Sequence, residues 1–354
     1  MAKVVILRFS ALGDVAMTIP IIYSVAKANL SDSFTVVTQP FLIPLFINRP
    51  PNVEVFGIDT KGSEKSLAGL RRFARRLAGQ RFDVAIDLHN VIRSRLIDMA
   101  LRLRGTRVFV MDKLRKERRQ LTKKPPKVIA PLRTTLERYM EVFHAANFRF
   151  TDTFTSLFAD KQEDSSLSQS APDSASPESI FTSEKKGRWI GIAPFAKHAG
   201  KIYPIDEMEK VVDYFSRQPD TTLFFFGGGK YEEAVLSQWE FQCINAYSVA
   251  GRYSLRQELE LISRLDVMVC MDSANMHFAS LVGVKAVSIW GATHPYTGFY
   301  GYKQDPRYAV QVDLPCRPCS IYGKKPCYRG DYACLKQIAP EQIIDKVNEV
   351  LAES

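Results

Sequence analysis

KVVILRFSALGDVAMTIPII, residues 3 to 22, joins an apolar, β-branched run to a short loop and then to a helical pattern. The run from Lys3 to Leu7 reads as a strand buried on both faces, as in a parallel sheet. Val15, Ile19, Ile22 and Val25 then recur at helical spacing. Strand, tight loop and helix in this order open a doubly wound α/β fold. The loop holds one glycine, Gly13, followed by Asp14. A dinucleotide-binding start would place several glycines there, so that a pyrophosphate could rest on the helix N-terminus. A carboxylate suits the helix dipole at that point but repels phosphate. The first turn is therefore no diphosphate site, and Asp14 needs another purpose.

The same alternation continues outward. KVVILRF, FTVVTQP, VEVFGI, FDVAIDL and TRVFVM are strand-like runs separated by helical stretches, up to about residue 150. Residues 159 to 187 are rich in Ser, Pro, Asp and Glu and lack an apolar period, which predicts a flexible linker. Beyond it the alternation restarts with RWIGIAP, TTLFFFGG, DVMVCMD and KAVSIWG, with helices near 205–217, 230–240 and 274–282. Two βα series predict two Rossmann-like α/β/α domains facing a cleft, at 1–158 and 188–335, with 159–187 between them. A last helix, within 336–354, is expected to pack back on the first domain.

With 46% apolar and 24% charged residues, the 354-residue chain has an ordinary globular composition. No apolar run reaches the roughly 20 residues of a membrane span, and the N-terminal run is too short for a leader. The expectation is a cytoplasmic protein, peripheral at most at the inner face of the membrane. The net charge of +10 is uneven. Residues 1 to 160 hold 27 Lys and Arg against 14 Asp and Glu, so the remainder holds 21 against 24. RRFARR (71–76), RSR (93–95), RLRGTR (102–107) and KLRKERRQLTKK (113–124) carry the excess. Part of it is solvated helix face; the rest points to a large anionic partner. No finger, basic zipper or aromatic sheet motif accompanies it, so nucleic acid is not expected.

Three post-strand loops of the second half offer chemistry. In VMVCMDSANMHFASLVGV a strand runs into Asp272 and Ser273, a helix cap, and the helix carries Ala274 and His277. Amides at such a start can hold a diphosphate. IAPFAKHAGKIYP (192–204) offers Lys197, His198 and Lys201, and FFFGGGKYEE lets a ligand approach the backbone beside Glu232 and Glu233.

Five elements in order, SALGDVAMTIP, FDVAIDLHNVIRSR, KIYP, DSANMH and WGATHP, resemble the bacterial ADP-heptose–lipopolysaccharide heptosyltransferase family, glycosyltransferase family 9. Ala274 stands where that family usually has Gly, and His89 and Asn90 replace its Gln-Gly. The resemblance implies a GT-B fold and an inverting transfer in which Asp14 is the general base. It implies that Lys201 and the amides at Ser273 and Ala274 stabilise the departing nucleotide diphosphate. Asp272 would meet donor-sugar hydroxyls, Glu232 or Glu233 the ribose, and AGRYS (250–254) the base; His277 belongs to the same donor element. Gly13, Asp87, His89 and Arg93 would face an anionic glycolipid acceptor. ADP-heptose is the implied donor, with no metal in catalysis. A different nucleotide sugar on the same fold, and a non-catalytic binder of nucleotide sugars or anionic glycans, remain as alternatives.

Cys316, Cys319, Cys327 and Cys334, spaced C-x2-C-x7-C-x6-C, stand outside that scheme. Such spacing admits a tetrahedral zinc site. Thiols packed around a loop, or a redox-labile pair, are the preferred sequence reading. Cys243 and Cys270 read as core.

Overall fold

The structure is a computed structural model that describes residues 1–159 and 184–353. Of the expected linker, residues 160–183 lie outside the described residues. The chain divides into two units, one formed by Met1–Arg118 with Pro131–Thr155 and the other by Arg119–Ala130 with Ser156–Ser354.

In the first unit, β1 (Lys3–Leu7), β2 (Ser33–Thr38), β3 (Val53–Gly57), β4 (Val84–Asp87) and β5 (Arg107–Val110) form a sheet in the order β3-β2-β1-β4-β5. Every pairing is parallel. Val4, Val5, Ile6 and Leu7 are fully buried, as a central strand covered on both faces must be. The second unit repeats the plan with β6 (Arg188–Ala193), β7 (Thr221–Phe225), β8 (Ala246–Ser248), β9 (Val267–Met271), β10 (Ala286–Ile289) and β11 (Ala309–Val310). Its order is β11-β10-β9-β6-β7-β8, again all parallel. β8 and β11, three and two residues long, are too short to show a period in the sequence.

The strand order reverses direction between β1 and β4 and between β6 and β9. At such a point neighbouring connections leave to opposite faces, and the loops part outside the carboxyl ends of the strands. Asp14 and His89 follow one pair; Lys201 and Asp272 follow the other.

Helix Leu67–Ala78 shows what part of the basic excess is for. Leu70, Phe73, Ala74 and Leu77 enter the first core, whereas Arg71, Arg72, Arg75 and Arg76 are exposed. RRFARR is a solvated face. Helix Pro340–Ala352 turns an apolar stripe into its own unit. Ile343, Val347 and Val350, at helical spacing, are fully buried in the core of the second unit. That stripe packs on its own unit's sheet, against β9 and β10.

Asp87 closes β4 with no exposure. Its Oδ1 accepts the N–H groups of His89 and Asn90, both at 2.8 Å, and its Oδ2 accepts the Ser94 hydroxyl at 2.7 Å. The carboxylate is spent on shaping the loop, so Asp87 does not face an acceptor. Asp98, in helix Ile92–Arg102, is also fully buried. Burial, and then the charge of Asp87, push its carboxyl up to about 8 from 3.8. A carboxyl raised on folding stabilises the protein fully below its unfolded pKa, and that contribution is lost as pH rises through the folded pKa. Relative to Asp98→Asn, wild-type stability should therefore decline from about pH 4 to about pH 8, by up to roughly tenfold in the folding equilibrium per pH unit. Urea unfolding of both proteins across that range checks this; parallel pH profiles would refute it.

Candidate functional site

In the first unit the site is built at the ends of β1 and β4. Arg8 is the residue after β1, and it is buried. Its Nη1 donates to the Leu88 carbonyl at 2.7 Å, and its Nη2 pairs with Asp14 Oδ2 at 2.7 Å. The same Oδ2 accepts the Ala11 N–H at 3.1 Å. Asp14 thus closes the first turn of helix Leu12–Ala16, which also contains Gly13, and its carboxylate is held in one orientation while 18% exposed. From sequence, Arg8 only ends the apolar run. In the fold it joins the loops after β1 and β4, and an arginine directly after a buried strand is the signal that could have found it.

His89 packs edge-on against Phe9, ring centroids 5.2 Å apart, and its Nδ1 accepts the Phe9 N–H at 3.4 Å. Burial, then the charges of Arg8 and Lys113, push its imidazole down to about 3. It is neutral at ordinary pH, so it cannot act as a cation toward an anionic acceptor. Arg93 is exposed. Asn90, Val91, Ile92, Arg95, Leu96, Met99, Lys113 and Arg115 line a cavity of about 610 Å³. It combines three cationic side chains with exposed apolar ones, Ile92 being 82% exposed.

In the second unit Lys201 ends a short 3-10 turn after β6, and Asp272 follows β9. Lys201 Nζ and Asp272 Oδ2 pair at 2.8 Å, the side chains only 16% and 6% exposed. The two residues singled out on separate loops are therefore one ion pair. Ser273 sits at the N-cap of helix Ala274–Leu281 and yet makes no capping hydrogen bond. Its Oγ, like Thr293 Oγ1, is shut from solvent without a hydrogen-bond partner among the described residues. Buried hydroxyls are nearly always paired; Thr38 Oγ1 and Ser248 Oγ share this state. Thr293 was not singled out from sequence beyond the match of WGATHP. His277 is buried on the second turn of that helix.

The loop after β10 completes this edge. The Ala292 N–H donates to Gly200 O at 2.8 Å, tying it to the Lys201 turn. A Cβ on Gly291 would lie 2.6 Å from that same Gly200 oxygen, so only glycine fits. Glu232 and Glu233 are engaged in their own loop: Glu232 Oε2 accepts the Gly228 N–H at 2.8 Å and Glu233 Oε1 the Gly229 N–H at 3.1 Å. In AGRYS, Arg252 pairs with Glu240 at 2.5 Å.

Among the described residues no three His, Cys, Asp or Glu side chains are grouped so that they could hold a metal ion, and no helix is long and apolar enough to cross a membrane. All six cysteines are free thiols.

Removing one partner of a nearly buried ion pair leaves the other charge unmatched. Lys201→Ala should cost about 3 kcal/mol in urea unfolding, and Lys201→Met with Asp272→Asn should recover most of it. A single variant as stable as wild type would show that solvent takes the place of the lysine.

With the geometry in hand, the chain can be placed among known proteins. Residues 70–326 match the model of glycosyltransferase family 9 (heptosyltransferase). Lipooligosaccharide heptosyltransferase 2 of Campylobacter jejuni serotype O:2 is 26% identical over 170 residues, 47% of this chain and 51% of the relative. The chain thus spans about half the length of the curated relatives it matches. A solved family 9 glycosyl transferase from Veillonella parvula superposes with a TM-score of 0.71 at 20% identity, covering 100% of this chain and 98% of that one. The E. coli heptosyltransferase WaaC, solved with ADP-2-deoxy-2-fluoro heptose, gives 0.66 at 16% identity over 98% and 99% of the two chains. The fold is GT-B, and the chain belongs to glycosyltransferase family 9, the heptosyltransferase family.

Proposed function

We propose that this chain is an inverting glycosyltransferase that moves heptose from ADP-heptose to a lipopolysaccharide core or related surface glycan. The observation that carries the reading is the oriented carboxylate of Asp14 at the carboxyl end of β1, held by Arg8. Transfer to a hydroxyl needs a base on the acceptor side and charge stabilisation on the donor side. Asp14 takes the proton from the acceptor hydroxyl while that oxygen attacks the anomeric carbon. The bond from that carbon to the diphosphate breaks, and the configuration inverts. The negative charge on the departing ADP is met by Lys201 and by the amides of Ser273 and Ala274 at a helix start. Asp272 holds Lys201 in place and lies beside the sugar hydroxyls, with the buried hydroxyls of Ser273 and Thr293 as further hydrogen-bond partners. The sequence has no Asp-x-Asp pair, and protein donors carry the leaving-group charge.

The acceptor belongs to the first unit. Its cavity of about 610 Å³ sets Arg95, Lys113 and Arg115 beside Ile92 and Met99, a surface suited to an anionic amphiphile. The basic excess of this half would concentrate the protein on an anionic glycolipid at the inner membrane surface without an anchor.

Asp14→Asn should lower kcat by roughly 100- to 10,000-fold, while calorimetry finds ADP binding unchanged; near-wild-type turnover by the folded variant removes the assignment. Lys201→Ala should weaken ADP by about tenfold or more, through loss of a charge-assisted contact.

Neutralising Arg115, Lys116, Arg118 and Arg119 together should raise the acceptor KM and leave donor affinity alone. Screening by salt should raise the wild-type acceptor KM in the same direction. Kinetics with both substrates varied at low and high salt read this out. A cluster variant that lost donor affinity and kept its acceptor KM would reverse the assignment of acceptor and donor to the two units.

A further inference from the structure

Helix Ile92–Arg102 of the first unit has two apolar faces. Ile97 and Leu101 enter the core, and Ser94 and Asp98 are buried on the same side. Ile92, Leu96, Met99 and Leu103 recur at i, i+4, i+7 and i+11. At 3.6 residues per turn they fall within about 60° of one another, as one row opposite the core. Leu103, the C-cap, keeps helical dihedrals and so continues the row. Ile92 and Leu103 are each 82% exposed and Met99 55%, while Leu96 is half-buried. Single exposed apolar side chains are ordinary, but a row of them facing away from the core is arranged as a contact face. Helix formation does not demand it, since Ala, Lys or Glu would serve as well.

Cations border the row. Arg93 flanks it on one side, Arg95 and Arg102 on the other, and Arg104 follows its end; all four are exposed. Asp98, the one acid of the helix, is on the buried side. Helix Leu67–Ala78 packs beside it and adds the exposed Arg71, Arg72, Arg75 and Arg76. Another exposed apolar pair, Phe241 and Ile244, has no such border: no Lys or Arg stands between Trp239 and Tyr247. An apolar row with arginines on both sides suits a helix lying in an anionic lipid interface. Its apolar side chains then enter the acyl boundary, and the guanidinium heads reach the phosphates. A second copy set on the same row would bring two sets of arginines together. Nucleic acid would leave Ile92, Met99 and Leu103 in a polar, wet interface.

We propose that the outer face of this helix, from Ile92 to Leu103, docks on a bilayer surface carrying anionic phospholipid headgroups. The row is continuous with the cavity of the first unit. Ile92, Arg95, Leu96 and Met99 line that cavity, and Leu103 lies about one turn beyond Met99. In this respect the choice of a lipid surface rests on the acceptor reading above, in which the cavity takes an anionic amphiphile. An amphiphile whose acyl chains stay in the bilayer presents its headgroup at that cavity without leaving the membrane. Net charge alone draws the first unit to an anionic surface. The row fixes which side meets it, and adds a contact that salt does not screen.

The test is vesicle binding by the full chain with neither donor nor acceptor present. Wild-type protein should cosediment with vesicles of phosphatidylglycerol and phosphatidylcholine, and not with phosphatidylcholine alone. Ile92→Ser/Met99→Ser/Leu103→Ser should weaken that binding by about tenfold or more, because three apolar side chains no longer enter the interface. Arg102→Gln/Arg104→Gln should weaken it about fivefold per arginine, and by less at high salt. The substituted side chains are exposed, and circular dichroism verifies the fold of each variant. Leu103→Trp reads insertion directly. Trp189, Trp239 and Trp290 are buried, so brominated acyl chains should quench only the introduced indole. Undiminished binding by the serine variant, an unquenched indole at position 103, or no binding of wild-type protein to anionic vesicles would overturn the docking face. So would a dimer that Leu103→Asp dissociates, which would put a second copy on the row. Transfer to a soluble acceptor is measured separately, without vesicles. Protein that binds vesicles but transfers nothing counts against the proposed reaction alone; protein that transfers but ignores vesicles counts against this face alone.

Discussion

A parallel sheet must bury both of its faces, and every crossover then returns the chain to the same edge before the next strand begins. That constraint arranges the rest of this protein. β1 lies between β2 and β4, and β6 lies between β7 and β9, so each unit has a point where successive loops diverge. The oriented carboxylate of the first unit and the ion pair of the second both stand just beyond these points. Neither lies on the strands themselves, whose apolar side chains fill the core.

Each edge then solves the same electrostatic problem. A carboxylate near a helix start has favourable company in the helix dipole, but as it loses water it needs a counter-charge. Arg8 serves Asp14 and Lys201 serves Asp272, at 2.7 and 2.8 Å. The cations that matter locally are thus partly or wholly buried and isolated in sequence, whereas the conspicuous run RRFARR is a solvated helix face. Orientation achieved in advance is useful chemically, because a group held in place does not have to be ordered when a ligand arrives.

Arg317 belongs to a different layer of the design. Its guanidinium gathers the carbonyls of Trp290, Gly291 and Thr293 on one side and of Val312 on the other. It thereby fixes the backbone after β10, and the amide of Ala292 carries that order to Gly200 and so to the turn bearing Lys201. Substitutions in the cysteine segment would reach the donor edge by this route without touching a ligand.

Period and composition were enough to establish from sequence the α/β class, nine of the strands and the helices flanking the candidate loops, because a strand buried on both faces has to be a continuous apolar run. The motif order also placed Asp14, Lys201 and Asp272 on post-strand loops. Pairing is different in kind. Nothing in the chain's order says that Arg8 reaches Asp14, that Lys201 and Asp272 are one unit, or that Asp87 is spent on His89, Asn90 and Ser94. Those contacts depend on which strands lie side by side. The same holds for His89, whose neutrality comes from burial beside Arg8 and Lys113. It holds for the last helix, whose apolar stripe could not name its sheet. And it holds for four cysteines whose common cavity exists only once the loops are folded together. Local pattern determines what an element is; the partners it meets are decided by a packing that brings distant residues within a few ångströms.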